Sequence, residues 1–142
     1  MLQLKSSSLV LLALLALLLI AADPAGEKRA APSPVVGELL VQRLHSAQAV
    51  YQQDLARIRA AEAVADDRLA AWSERWLDAD LALSGKPAER IAALRAHLER
   101  TREIEKLAGH RAKIGQGREA DMHATAWYRI NAEIRLAEEL RE

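Results

Sequence analysis

The chain has 142 residues, no cysteine, and equal numbers of acidic and basic side chains, 20 of each. Without cysteine it can form neither disulfides nor thiolate metal sites, so packing alone must hold the fold. A net charge of zero argues against nucleic acid and against a strongly anionic membrane surface as the main partner, because both need a clustered basic excess. The sequence is rich in alanine, leucine, glutamate and arginine, which favours helices over sheets.

The first 22 residues have the layout of a secretory signal peptide. A short polar start with one cation, Lys5, precedes an apolar run over residues 9–20, and the small residues Ala21 and Ala22 follow. The run is shorter than the roughly 20 apolar residues of a membrane-spanning helix, so cleavage after Ala22 is favoured over a retained anchor. Residues 23–34 hold three of the four prolines and predict a disordered linker. We therefore expect an exported protein, periplasmic or extracellular, without a stable membrane span.

Residues 40–83 carry one apolar seam, which predicts a long helix over about residues 35–84. Steps of three and four place its members on one helical stripe that must be buried against a partner. They are Leu40, Leu44, Ala47, Tyr51, Leu55, Ile58, Glu62, Ala65, Leu69, Trp72, Trp76, Ala79 and Leu83. Only Glu62 is not apolar. The pattern leaves open whether this helix is continuous or kinks near Glu62, which would make four helices out of three.

Two glycine-containing breaks divide the remainder into two shorter helices. Gly85 suits a helix end and Pro87 a helix start, and a second helix is predicted over about residues 88–113. Gly115 and Gly117 predict a turn, because each glycine costs about 1 kcal/mol in a helix interior. The third helix is predicted over about residues 119–141. Its expected seam is Met122, Ala126, Ile130, Ala137 and Leu140, with Trp127 and Ile134 beside it.

These elements predict an all-α domain over residues 35–142, a long antiparallel coiled coil or three-helix hairpin bundle. Trp72 and Trp76 are four residues apart in the seam and are interpreted either as core side chains, which we favour, or as a face for a partner. The acidic residues Glu62, Glu105 and Glu133 fall at or near seam positions. They are either edge residues whose stems pack while their heads reach water, or polar residues that pair with arginines.

Residues 107–140 resemble the periplasmic helical hairpin of TolC-type outer-membrane efflux proteins. The likeness is carried by Ile114-Gly115, Asp121, Asn131-Ala132-Glu133 and Leu136. In that family a small apolar residue and a glycine mark the hairpin tip, and an aspartate opens the returning helix. No segment of this chain has the alternating pattern of barrel strands, and the chain is too short to hold a barrel. The resemblance therefore implies the hairpin without the channel.

The turn between the last two predicted helices has two interpretations. The resemblance implies that Gly115, Gly117 and Asp121 form a tip that docks on a partner. Elementary helix chemistry offers the other interpretation, which we favour. An acid in the first turn of a helix accepts hydrogen bonds from free backbone N–H groups and opposes the positive end of the helix dipole.

Metal binding and catalysis find little support in the sequence. His110 and His123 flank the turn and could share an ion across a hairpin, with Asp121 or Glu119 as a third ligand, but no paired histidine spacing supports this and we favour surface histidines. Ser33, Ser46, Ser73 and Ser84 have no nearby base in a glycine-framed turn, so no nucleophile is indicated. We predict no enzyme, no cofactor and no metal site.

We therefore expect a non-catalytic, extracytoplasmic helical scaffold or interaction protein of the cell envelope. It resembles the hairpin of efflux proteins but lacks their barrel. Its partner would be an envelope protein or further copies of the chain, bound through coiled-coil surfaces, and not nucleic acid. The alternative is a small periplasmic helical protein that senses or binds metal ions, or that responds to stress.

Overall fold

The computed structural model of the chain describes residues 33–60 and 67–141, and these residues are all-α. Four helices are present in this part of the chain: α1 (Pro34–Arg59), α2 (Asp67–Leu83), α3 (Pro87–Lys113) and α4 (Glu119–Glu139). The predicted all-α class is confirmed. The predicted signal peptide and residues 23–32 of the predicted linker lie outside the described residues.

The single helix predicted over residues 35–84 is two helices in the structure. α1 and α2 pack side by side and run antiparallel: the ring centroids of Tyr51 and Trp76 are 5.6 Å apart, and Arg68 Nε lies 3.0 Å from Asp54 Oδ2. Of the two alternatives that the sequence left open, the structure has the interrupted one with four helices, because the apolar stripe can be buried against its own other half when the chain folds back. Residues 61–66, which include Glu62, lie outside the described residues.

The later helices continue this back-and-forth path. α2 contacts α3 and, less extensively, α4, while α3 and α4 form the other large helix pair. Arg90 near the start of α3 pairs with Glu139 at the end of α4, and Glu105 further along α3 pairs with Arg129 further back along α4. α3 and α4 are therefore antiparallel. Their bounds differ by no more than two residues from the predicted ranges of 88–113 and 119–141.

The core lies where α1, α2 and α3 meet. Seven buried side chains form one cluster there: Tyr51, Leu55, Ile58, Leu69, Ala70, Ile104 and Ala108. Partly buried side chains that pack against this cluster are Trp72, Trp76, Leu107 and Tyr128. Burying a large apolar side chain is worth about 1.5–3 kcal/mol, so this cluster contributes substantially to stability. Of the residues of α4, only Tyr128 packs against this cluster, so α4 lies at the edge of the cluster.

The first half of α1 carries no buried side chain. Burial on this helix begins at Ala47, and the large apolar residues before it include Val35, Val36, Leu39 and Val41, all of them exposed. α1 begins at Pro34, and the Ser33 hydroxyl accepts a hydrogen bond from the Val36 backbone N–H at 3.4 Å. Among the described residues, no helix has the length and apolar character that a membrane span requires.

Candidate interaction surface

Four large apolar side chains form an exposed stripe on the outward side of α4, and we call them the α4 surface. They are Trp127, Ile130, Ile134 and Leu140, with exposed fractions of 59%, 46%, 51% and 54%. Steps of three and four residues place the first three on one face of the helix, and Leu140 is its C-cap residue. Single exposed apolar residues are common on protein surfaces. Several of them on one helix face are instead typical of an interaction site.

The opposite side of α4 is the one that packs, and its fully buried residues are small or polar. Asp121, Thr125 and Ala132 are its buried residues. The Thr125 hydroxyl donates to the Asp121 carbonyl at 2.9 Å, so it needs no partner from another helix. Small side chains let α4 approach its neighbours closely.

The predicted seam of this helix is therefore wrong. Ile130, Ala137 and Leu140 are exposed, and Met122 and Ala126 are only partly buried. The periodicity located an apolar stripe correctly but could not say whether the rest of this chain covers it. The buried side could have been located from the small or polar residues Asp121, Thr125 and Ala132. They are spaced by four and seven residues, which places them on one side of a helix.

Charged hydrogen bonds between α3 and α4 hold α4 in this orientation. Arg129 donates through Nε to Glu105 of α3 at 2.7 Å and through Nη1 to Glu133 of its own helix at 2.8 Å, and these bonds raise the pKa of Arg129. At the far end, Arg90 donates two hydrogen bonds to Glu139, at 2.6 and 2.7 Å, which lower the pKa of the Glu139 carboxyl. Glu105 and Glu133 are thus acids paired with an arginine, one of the two interpretations that the sequence left open.

Tyr128 positions the largest member of the α4 surface. Its ring packs against the core cluster, and burial raises its pKa. The neighbouring Trp127 ring stands edge-on to it, with the centroids 5.0 Å apart and the planes at 86°. Trp127 is therefore held by an anchored aromatic neighbour while most of its own surface is exposed. A preoriented, exposed tryptophan is a frequent anchor in protein interfaces.

The turn at residues 114–118 joins α3 to α4 where the sequence places it. Gly115 has a φ of 73°, the left-handed conformation that favours glycine. Gly117 is needed for a different reason, since a Cβ there would lie 3.0 Å from the Ala112 backbone nitrogen. Arg111 ties the turn to α1 by donating to the Ile58 carbonyl at 2.6 Å.

Asp121 acts as a cap at the start of α4. Its carboxylate accepts from the Arg118 backbone N–H at 3.3 Å and from the Arg118 guanidinium at 2.6 and 3.0 Å. These bonds hold the pKa of Asp121 below its ordinary value. With its side chain buried, Asp121 presents little to a partner, so the geometry accords with the capping interpretation. A shallow depression beside the turn is lined by Ala112, Lys113, Gly117, Glu119 and Met122.

The candidate metal ligands do not form a group of three within the described residues. His110 is exposed on α3, and His123 Nε2 lies 3.6 Å from Glu119 on its own helix. Asp121 is engaged by Arg118 instead. Within residues 33–60 and 67–141, no group of three or more histidine and acidic side chains is placed to hold a metal ion.

Trp72 and Trp76 both pack against the core cluster and remain partly exposed. A guanidinium lies over the ring of each indole: Arg75 is 4.3 Å from the Trp72 ring and Arg100 is 4.0 Å from the Trp76 ring. These tryptophans therefore lie at the edge of the core, each with a guanidinium over its ring. They are less available to a partner than Trp127.

A buried polar cluster between α2 and α3 was missed by the sequence reasoning. It consists of Ser73, His97 and Arg100: the Ser73 hydroxyl lies 3.0 Å from His97 Nδ1 and accepts from Arg100 Nε at 3.0 Å. The expectation of surface histidines fails at His97 alone, since His45, His110 and His123 are exposed. Ser73, expected to have no nearby base, lies beside an imidazole. The two residues are 24 positions apart, so no local spacing could reveal the contact.

The surroundings of this cluster keep His97 neutral. Its side chain is fully buried, and burial together with the nearby cations Arg100 and Arg135 lowers its pKa to about 4. His97 Nε2 and the Tyr51 hydroxyl have no hydrogen-bond partner within the described part of the chain. Burial also raises the pKa of Tyr51 to about 12. A serine and a histidine in contact resemble part of a nucleophilic site, but neither is accessible to a substrate here, because both are fully buried.

The comparisons with known proteins add no relative. Neither protein-family models, nor curated proteins, nor solved structures gave a match to this chain. The resemblance to the efflux-protein hairpin therefore stays a prediction, and function has to be argued from the surfaces themselves.

Proposed function

We propose that this protein is a non-catalytic, exported helical scaffold of the cell envelope that works by binding another protein through the α4 surface. The observation that carries the proposal is the exposure of Trp127, Ile130, Ile134 and Leu140, which are about half uncovered on a helix otherwise fixed by charged hydrogen bonds. An apolar face that the chain does not cover itself favours a macromolecular partner over a small ligand.

The antiparallel helices supply the rigid support that such a role requires. The proposed arrangement is a helical hairpin bundle with coiled-coil-like packing, in which the turn at Gly115 lies at one end. This agrees with the resemblance of residues 107–140 to the periplasmic hairpin of efflux proteins. Export is inferred from the signal-peptide pattern of residues 1–22. The metal-sensing alternative has no comparable support, since residues 33–60 and 67–141 contain no group of three or more histidine and acidic side chains placed to hold a metal ion.

Two measurements on the full chain test this proposal. A reporter enzyme that is active only outside the cytoplasm is fused to the C-terminus, and activity is expected with residues 1–22 present and not with them deleted. In the exported chain, a photo-crosslinking residue at Trp127 is expected to give a discrete protein adduct. The matched control replaces Ala92, which is exposed on α3. Reporter activity that does not depend on residues 1–22, or equal adducts at both positions, would contradict the proposal.

A further inference from the structure

We propose that the partner of the α4 surface is a second copy of this chain, bound so that the two α4 helices run antiparallel. This inference rests on the proposed function, because it names the partner for the same surface. It follows from the shape and the charge of the helix face.

The distribution of side-chain size along the face suits an antiparallel pair. A two-fold axis that passes between Ile130 and Ile134 sets Ile130 of one copy opposite Ile134 of the other. The same axis sets the large Trp127 opposite the small, exposed Ala137. The largest residue of the face then meets a small one, which suits interdigitated helices. A parallel pair would instead place two Trp127 rings against each other at the same level.

The charges at the two ends of the face favour the same direction. Glu119, with a side chain 82% exposed, lies at the start of the helix, and the exposed Arg141 lies just past its end. An antiparallel pair brings Glu119 of each copy toward Arg141 of the other. A parallel pair brings like charges together at both ends, which is unfavourable.

A two-fold pair also covers both apolar faces at once. The contact is isologous, so Trp127, Ile130 and Ile134 are buried on each copy and do not remain open to a third copy. Because only one helix face per copy takes part, the buried area lies at the small end of protein interfaces, below about 1,200 Å² in total. The dimer should therefore dissociate on dilution.

Sedimentation of the protein purified from cells that express the full chain measures this equilibrium. We expect a monomer–dimer transition that depends on concentration. Ile130→Lys should weaken the dimer by about tenfold or more, because it buries a charge at the centre of the contact. Ala92→Lys, on an exposed position of α3, should leave the equilibrium unchanged. A helical circular dichroism spectrum checks that each variant is folded.

Cysteine cross-linking tests whether the two helices run antiparallel. Because the chain has no cysteine of its own, only the introduced cysteines can form disulfides. Ala126→Cys and Ala137→Cys chains, one of them with a longer tag, are mixed and oxidised. Antiparallel helices place position 126 near position 137 of the other copy, so mixed dimers should outnumber both self-linked products. Ala92→Cys should cross-link to neither.

The outcomes separate this inference from the proposed function. A monomer at every concentration, equal effects of Ile130→Lys and Ala92→Lys, or a preference for self-linked products would overturn the antiparallel dimer. In that case an adduct between position 127 and a different envelope protein would still support the scaffold. Failure of export would contradict the proposed function and leave the sedimentation result intact.

Discussion

At the scale of single residues, the most consequential feature is the buried contact of Ser73 with His97. A histidine has an ordinary pKa near 6.5, and here burial and neighbouring cations lower it to about 4. The folded state therefore binds fewer protons than the unfolded state between these two pH values. Stability from this residue is fully present above pH 6.5 and is lost as the pH falls toward 4.

We predict that the free energy of unfolding falls by up to about 3 kcal/mol between pH 6.5 and pH 4 because of His97. Urea unfolding at a series of pH values measures it. His97→Gln should lower stability at neutral pH and flatten the pH dependence in this window. His110→Gln, which replaces an exposed histidine, should keep the wild-type slope. Identical slopes in wild type and His97→Gln would refute the assignment.

Two glycines at the end of α3 should respond in opposite directions to alanine. Gly115 has a φ of 73°, so Gly115→Ala should destabilise the protein by about 1 kcal/mol. Gly109 lies within α3 with open space around its Cβ position, so Gly109→Ala should stabilise it by about 0.5–1 kcal/mol. Chemical denaturation of both variants measures the difference. A loss of stability in Gly109→Ala would show that the space there is not free.

At the scale of helices, an apolar stripe in the sequence shows which helix face must be buried. It does not show which surface buries that face. On α3 the cover is internal, and Ile104 is fully buried among side chains of other helices. On α4 the corresponding stripe is left open, because arginine–carboxylate bonds and small residues hold the other side against α3. The helix has thus an inner side built for close packing and an outer side built from large apolar groups.

A matched pair of isoleucines separates these two kinds of face. Ile104→Ala should cost about 2–5 kcal/mol of unfolding free energy, because it removes buried methylenes and leaves a cavity. Ile134→Ala, on the α4 surface, should cost less than about 1 kcal/mol when measured in dilute protein. Thermal or urea unfolding of both variants gives the comparison. Similar losses would mean that α4 is buried by the rest of this chain.

At the scale of the whole molecule, stability should be uneven along α1. None of residues 34–46 is buried, whereas residues from Ala47 onward contribute Tyr51, Leu55 and Ile58 to the core cluster. Local opening is cheap where few apolar contacts must be broken. The first half of α1 can therefore open without disturbing the core.

Hydrogen–deuterium exchange should reveal this difference within one helix. We expect amides of residues 38–46 to exchange much faster than those of residues 50–59, although both segments are helical. Peptide-resolved mass spectrometry measures both in one experiment, and α3 around Ile104 serves as the protected reference. Equal protection along α1 would indicate that something covers Val35, Val36 and Leu39.

By itself the sequence determined the helical class, the turns at Gly85 and Gly115, and the capping role open to Asp121. These depend on local chemistry: propensity, spacing and the conformational freedom of glycine. It also located the apolar stripes, because a repeat of three and four residues is visible without a structure.

Only the tertiary structure decided which stripes meet. It folded the long seam back on itself to make α1 and α2, brought Ser73 to His97 across 24 residues, and left Trp127, Ile130 and Ile134 uncovered. Local patterns cannot supply these results, because each depends on how well two distant surfaces fit compared with every other pairing in the chain. The same periodicity describes a buried face and an open one, and only the packed neighbours distinguish them.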